Sequence, residues 1–196
     1  MMSSSFQVEL DELTLRRACK GNRGACEQIY RLFQRPAYTL AYRICQCPEM
    51  AQDVVQDAFI TLFRRIGQFR GDSPFWGWLR KVVVNQALTA LRRKPRELSF
   101  EVLPEPAPTL DGHQRIQDTL DANLLLARLS DEDRAVVWLH DVEGYNHREI
   151  GDLMDRSESY SKTRLSRARK SLQEYLEDSV EVGETAVVAN IQAGQL

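Results

Sequence analysis

The chain has 196 residues, of which 43% are hydrophobic and 28% charged, with a formal net charge of −2. That length suits one ordinary domain or two small ones, and no apolar run approaches the roughly 18 residues of a transmembrane span. Met1–Leu10 lacks a basic flank followed by an apolar core, so it does not read as a secretory signal; a cytoplasmic protein without membrane insertion is expected.

In chain order the pattern is helical almost throughout. Gly21-Asn22 breaks a first short helix, and Asn22 is placed to cap a second running toward Ile44. Ile29, Leu32, Phe33, Ala37, Leu40, Ala41 and Ile44 recur along it at helical spacing, with a kink expected at Pro36. Pro48-Glu49 reads as a helix start. Beyond it, Val54, Ala58, Leu62 and Ile66 interleave with Val55, Phe59 and Phe63 in one wide apolar stripe ending at Gly67. A loop from Gln68 to Pro74 leads into a helix reaching about Lys94, stopped by Pro95. Leu79, Val83, Ala87 and Leu91 form its core face. Lys81, Val84, Asn85, Leu88 and Arg92 form a face too polar for core and too apolar for solvent alone.

The character then changes. Pro104, Pro106 and Pro108 alternate among Glu101, Glu105 and Asp111, which prevents helix and favours extended, solvated chain. The remainder reads as helices over about Leu120–Leu129, Asp131–Val142 with Ser130 as cap, one after Gly144, and a last from Ser157 to about Glu177. Asn146 and Glu149 have the spacing of a capping box. The last two helices, separated at Met154-Asp155-Arg156, have the outline of a helix-turn-helix. The fold class is therefore all-α: a helical domain over 1–95, a flexible acidic linker over 96–118, a second helical domain over 119–178 and a disordered tail over 179–196.

Charge follows this division. Residues 1–94 carry 15 Lys/Arg against 8 Asp/Glu, and residues 95–121 carry 2 against 6. From Ser157 to Lys170, five cations (Lys162, Arg164, Arg167, Arg169, Lys170) accompany one acid, Glu158. Two basic regions around an acidic bridge bring nucleic acid into consideration. On the last helix, Leu165, Ala168, Leu172, Tyr175 and Leu176 cluster on one side. Ser159, Thr163, Ser166, Arg167 and Lys170 lie opposite, flanked by Lys162, Arg169 and Arg164. An apolar back with short polar and long basic residues in front suits a recognition helix; a solvated basic face is the plainer alternative.

The loop Phe69–Trp78 concentrates Phe69, Phe75, Trp76 and Trp78 near Arg70, Arg80 and Lys81. Rings among cations suit single-stranded nucleic acid, and equally suit core, above all for Phe75 and Trp78. Catalysis finds little support. Phosphate-loop, GxSxG and HExxH patterns are missing, and His140-Asp141 and His147-Arg148-Glu149 suit surface or capping roles. Cys19, Cys26, Cys45 and Cys47 are expected as reduced thiols, since Cys45-x-Cys47 lacks zinc spacing. No enzyme activity, metal or cofactor is expected.

The segment DVVQDAFITLFRRIGQFRGDSPFWGWLRKVVVNQALTALRR, Asp53–Arg93, resembles region 2 of bacterial sigma factors of the extracytoplasmic-function group. LSDEDRAVVWLHDVEGYNHREIGDLM through TRLSRARKSL, Leu129–Leu172, resembles their region 4. The resemblance implies a dissociable RNA polymerase subunit that directs core polymerase to promoter DNA. It implies that Asp53, Gln56, Asp57, Phe59 and Phe63 meet the beta-prime clamp, with region 4 on the beta flap. It assigns Phe69, Arg70, Asp72, Ser73, Trp76, Lys81 and Asn85 to the melted minus-ten element. Ser159, Tyr160, Lys162, Thr163, Arg164, Ser166, Arg167 and Arg169 fall to the minus-thirty-five duplex. The linker resembles the segment that threads the polymerase cleft, and an anti-sigma factor or kinase is an expected regulator. Two departures stand out: Asp155 replaces a glycine usual at the turn, and Ser159-Tyr160-Ser161 replaces Gly-Thr-Val. The runner-up is a helix-turn-helix repressor or activator that is not a polymerase subunit.

Overall fold

The computed structural model describes residues 10–93 and 123–192, with side chains as far as residue 177. The expected linker, 96–118, lies outside the described residues, as do Lys94 and Pro95. The chain forms two compact units, Met1–Ile116 and Gln117–Leu196. Every regular element among the described residues is helical, and no described helix is long and apolar enough to cross a membrane.

In the first unit, α1 (Glu12–Cys19) starts where the Asp11 carboxylate accepts the Thr14 N–H at 2.8 Å. Asn22 caps α2 (Arg23–Cys45) in the same way through Ala25, at 2.9 Å. Pro36 does not interrupt α2. A proline has no N–H for the Leu32 carbonyl one turn earlier, and Leu32 is 40% exposed rather than in the expected core row. Pro48 opens α3 (Pro48–Arg65), followed by a 3-10 turn at Ile66–Gln68.

Helix α4 (Phe75–Arg93) packs against both α2 and α3. That double contact corrects the expected division of α4. Val84 and Leu88, assigned to its mixed face, are buried beside Leu79, Val83 and Ala87, because a helix wedged between two neighbours needs a wider apolar arc than one seam. Lys81, Asn85 and Arg92 remain exposed.

The second unit contains a short helix at 123–127, named α5, then α6 (Asp131–Val137), α7 (His147–Met154) and α8 (Glu158–Gln192). Ser130 caps α6 through the Asp133 N–H. The expected single helix to Val142 instead becomes a π turn at Trp138–Val142, with the Tyr145 N–H closing onto the Leu139 carbonyl at 2.9 Å. The capping box of Asn146 and Glu149 is present, with both bonds at 2.9 Å. The backbone of α8 continues beyond the expected end at Glu177. Its weakest helix former there, Gly183, costs only about 1 kcal/mol, too little to stop a helix. Leu176, assigned to the packed face, is 50% exposed, whereas Leu165 and Ala168 are buried. The packed stretch ends near Tyr175, whose ring lies 4.8 Å from the Arg128 guanidinium.

The turn between α7 and α8 is closed by two residues. Asp155 takes the left-handed conformation, φ 57°, and the Arg156 N–H returns to the Gly151 carbonyl at 2.9 Å. A Cβ on Gly151 would lie 2.8 Å from the Arg156 carbonyl oxygen and 3.1 Å from the Ser157 carbonyl carbon. Both neighbours are backbone, so the turn itself must open. Gly151→Ala is expected to destabilise this unit by about 1–3 kcal/mol, read as an earlier thermal unfolding transition by circular dichroism. An unchanged transition would show that the approach of α7 to α8 is looser than this.

Candidate functional site

Two of the expected surfaces lie in the first unit. Between α2 and α3 runs an open groove of about 820 Å³. Gln56, Phe59 and Phe63, anticipated from the sequence, line it, together with Tyr30, Tyr38 and Ile60, which were not. Phe59 is edge-on to Tyr30 at 4.9 Å and tilted against Phe63 at 5.7 Å, so the floor is aromatic. Asp53 and Asp57 are exposed on the same helix but do not line the groove. The missed signal was Ile60, a large apolar residue outside the stripe and 42% exposed. Along α3 charge is segregated: Glu49, Asp53 and Asp57 precede Arg64 and Arg65.

The second surface is the loop before α4. Arg70, Gly71, Asp72, Ser73 and Pro74 are all exposed, and Gly71 at φ 77° turns the chain. The rings behave differently from the base-stacking expectation. Phe69 packs 5.6 Å from Phe75 and 5.3 Å from Trp78, and Trp76 lies parallel to Phe33 at 5.9 Å. Phe75 is buried, whereas Phe69 and Trp76 are half-buried, so these rings anchor the loop to the core and expose only part of themselves. Asn85 projects from α4 one turn beyond Lys81, and both are exposed.

The cysteines are separate free thiols. Cys19 donates to the Ile66 carbonyl at 3.2 Å, and burial, then the neighbouring Cys19, pushes the Cys26 thiol up.

The third surface is the start of α8. The Ser157 hydroxyl accepts the Tyr160 N–H at 3.2 Å, capping the helix as expected. Ser159, Lys162, Thr163, Ser166, Arg167, Arg169 and Lys170 are exposed. Lys162 pairs with Glu158 at 2.7 Å, Arg169 with Asp141 at 2.6 Å and Lys170 with Glu174 at 3.6 Å. Such exposed pairs hold weakly and exchange readily for other anions. Arg164 is half-buried and pairs with Glu132 and Asp133 of α6.

Ser161, by contrast, is fully buried, its hydroxyl 3.1 Å from His147 Nδ1. The His147 ring stacks on His140 at 4.5 Å. Burial, then the electrostatic influence of His140 and Lys162, hold His147 below its usual value. These histidines therefore join α7, α8 and the π turn, a packing role.

Comparison with known proteins agrees with this layout. Residues 29–97 match sigma-70 region 2, and residues 120–172 match sigma-70 region 4. The chain is 32% identical over 152 residues to the extracytoplasmic-function RNA polymerase sigma factor SigM of Mycobacterium tuberculosis, covering 78% of this chain and 77% of that protein. It is 27% identical over 177 residues to the sigma-E factor of Escherichia coli, covering 83% and 92%. Among solved structures it resembles the sigma factor RpoE in complex with the anti-sigma factor NepR from Bartonella quintana. There the TM-score is 0.56 at 24% identity, over 77% of this chain and 96% of that one. It also resembles CnrH in complex with the cytosolic domain of CnrY, with a TM-score of 0.53 at 21% identity over 86% and 97%.

Proposed function

This chain belongs to the extracytoplasmic-function group of RNA polymerase sigma factors, which direct the polymerase to promoters, and we propose how its surfaces divide that work. The groove between α2 and α3 receives the beta-prime clamp of core polymerase. The loop Phe69–Trp76 with Lys81 and Asn85 holds the melted minus-ten strand. The front of α8 reads the minus-thirty-five duplex while this unit sits on the beta flap. The observation that supports this most is the row Ser159, Thr163, Ser166 and Arg167, exposed on a capped helix after a tight turn, in the same chain as the exposed loop Arg70–Pro74 set on half-buried rings beside Lys81 and Asn85. A repressor needs only the first of these. Residues 96–118 serve as the linker between the two contacts, and an anti-sigma protein, of the kind bound to RpoE in the Bartonella complex, restrains the free factor.

Abortive transcription with purified core polymerase tests the whole scheme. Promoter-dependent product is expected only when this chain is added. Promoter binding without core polymerase and without initiation would favour the repressor reading.

The front of α8 has its own test. Arg167 makes no ion pair among the described residues, so its guanidinium is available to a base edge. Arg167→Ala is expected to cost about 1–3 kcal/mol and to relax preference at one promoter position. Arg169→Ala should weaken all sequences alike and lower the salt slope by about one unit or less, because Asp141 already competes for this side chain. A promoter library that shows no positional change for Arg167→Ala would remove it from base reading.

A further inference from the structure

Tyr160 and Arg164 stand on the recognition helix, yet the structure turns both toward α6. At about 100° per residue, Ser159, Thr163, Ser166 and Lys170 fall within an arc of about 60°. Tyr160 lies about 90° from the centre of that arc and Arg164 about 130°, on the border of the packed side. Two guanidinium groups approach the Tyr160 ring, with Arg164 Cζ 5.2 Å and Arg156 Cζ 5.8 Å from its centroid. Its hydroxyl feels both the Glu132 carboxylate and the Arg164 guanidinium. Arg164 in turn reaches Glu132 through Nη2 and Asp133 Oδ1 through Nη1 at 3.3 Å. These contacts join the first turn of α6 to the second turn of α8. Burial, and then the nearby Glu132 carboxylate, raise Tyr160 above the usual tyrosine value, so it keeps its proton at neutral pH.

We propose that Tyr160 is a positioning residue: it holds Arg164 on Glu132 and Asp133, and this clamp sets the angle at which α8 presents Thr163, Ser166 and Arg167 to duplex DNA. The inference rests on the reading of α8 as the minus-thirty-five surface. It takes Tyr160 and Arg164 out of direct contact with DNA, where the resemblance had put them. Arg167 follows Tyr160 by seven residues on the same side of the helix, so a change in tilt at Tyr160 moves the guanidinium that reads a base. Arg164 is a poor candidate for phosphate binding, because two carboxylates already neutralise it and its side chain is only 27% exposed.

The test uses holoenzyme assembled from the full chain and core polymerase, with binding to a minus-thirty-five duplex promoter measured across a salt series. Tyr160→Ala is expected to weaken binding about tenfold, the scale of one lost interaction of about 1.4 kcal/mol, with the salt slope unchanged. Tyr160→Phe keeps the ring against the guanidinium groups and should stay within about threefold of the wild type. Tyr160→Ala added to Arg164→Ala should cost nothing further, since both remove one clamp. Arg164→Glu should lose at least about tenfold, and Glu132→Arg combined with it should recover most of the loss by re-forming the pair with reversed charges. Thermal unfolding of each variant is followed alongside. If Tyr160→Ala unfolds at the assay temperature, the charge-reversed pair and Tyr160→Phe decide.

Additive losses in the double mutant, a salt slope lowered by about one unit on Arg164→Ala, or no recovery in the reversed pair would each overturn the clamp and return these residues to the DNA. A wild-type holoenzyme indifferent to the minus-thirty-five duplex would overturn the reading of α8 itself, and the clamp with it.

Discussion

Ile60→Glu is expected to abolish binding to core polymerase at micromolar concentrations while leaving the helix content unchanged. Ile60 is 42% exposed at the edge of the groove, so its replacement disturbs little within the first unit. Burying such a side chain against a partner contributes about 1.5–3 kcal/mol. A carboxylate left unpaired in the same contact adds a penalty of about 2–5 kcal/mol. Even the lower sum weakens binding by more than about a hundredfold. Reversing Asp53 and Asp57 to Lys should do less. Both carboxylates are exposed outside the groove, where rim charges chiefly alter association rate and salt dependence. Fluorescence titration of labelled protein with core polymerase separates the cases. Unchanged affinity for Ile60→Glu would remove the groove from the interface.

The contrast between Ile60 and the two aspartates shows what spacing within a chain conveys. Capping residues act over three positions, so Asn22, Ser130, Asn146 and Ser157 all marked helix starts legibly. The stripe on α3 likewise identified Val54, Ala58 and Leu62 as core. Which helix covers a face is a tertiary property. Val84 and Leu88 looked half-polar because they share a helix face with Lys81, Asn85 and Arg92, and only the wedge of α4 between α2 and α3 buries them. The same limit hid Tyr30 and Tyr38, since α2 lines the groove from more than twenty residues before α3 brings its own rings. For Tyr160 and Arg164 the family pattern pointed to DNA, while their partners, Glu132 and Asp133, lie about thirty residues away and carry no sequence mark of the pairing. The reading of Asp53–Arg93 and Leu129–Leu172 as two sigma regions was legible because the strings FRGDSPFWGWL and TRLSRAR are long and specific, and the region 2 and region 4 matches at 29–97 and 120–172 enclose them.

Promoter opening should fail when the loop or Asn85 is altered, although the polymerase still binds. Opening a base pair must be offset by contacts that duplex DNA does not offer, and base–aromatic stacking contributes about 1–3 kcal/mol per base. Phe69 and Trp76 are half-buried against Phe75, Trp78 and Phe33, so they supply ring edges on a rigid floor rather than free platforms. More of the work then falls to the exposed Arg70, Asp72 and Ser73, and to Asn85, whose amide offers a donor and an acceptor to one unpaired base edge. Replacing Asp72–Pro74 by Gly-Ser residues leaves that floor intact but removes the ordered loop. This variant should lose most initiation on duplex promoter and regain much of it on an artificial bubble, where strand separation is already done. Asn85→Ala should remain defective on the bubble and change preference at one non-template base, because the lost contact is with the base itself. Both variants should keep wild-type affinity for core polymerase, since neither touches the groove between α2 and α3. Wild-type transcription by both on duplex and bubble templates would remove this loop and Asn85 from strand capture.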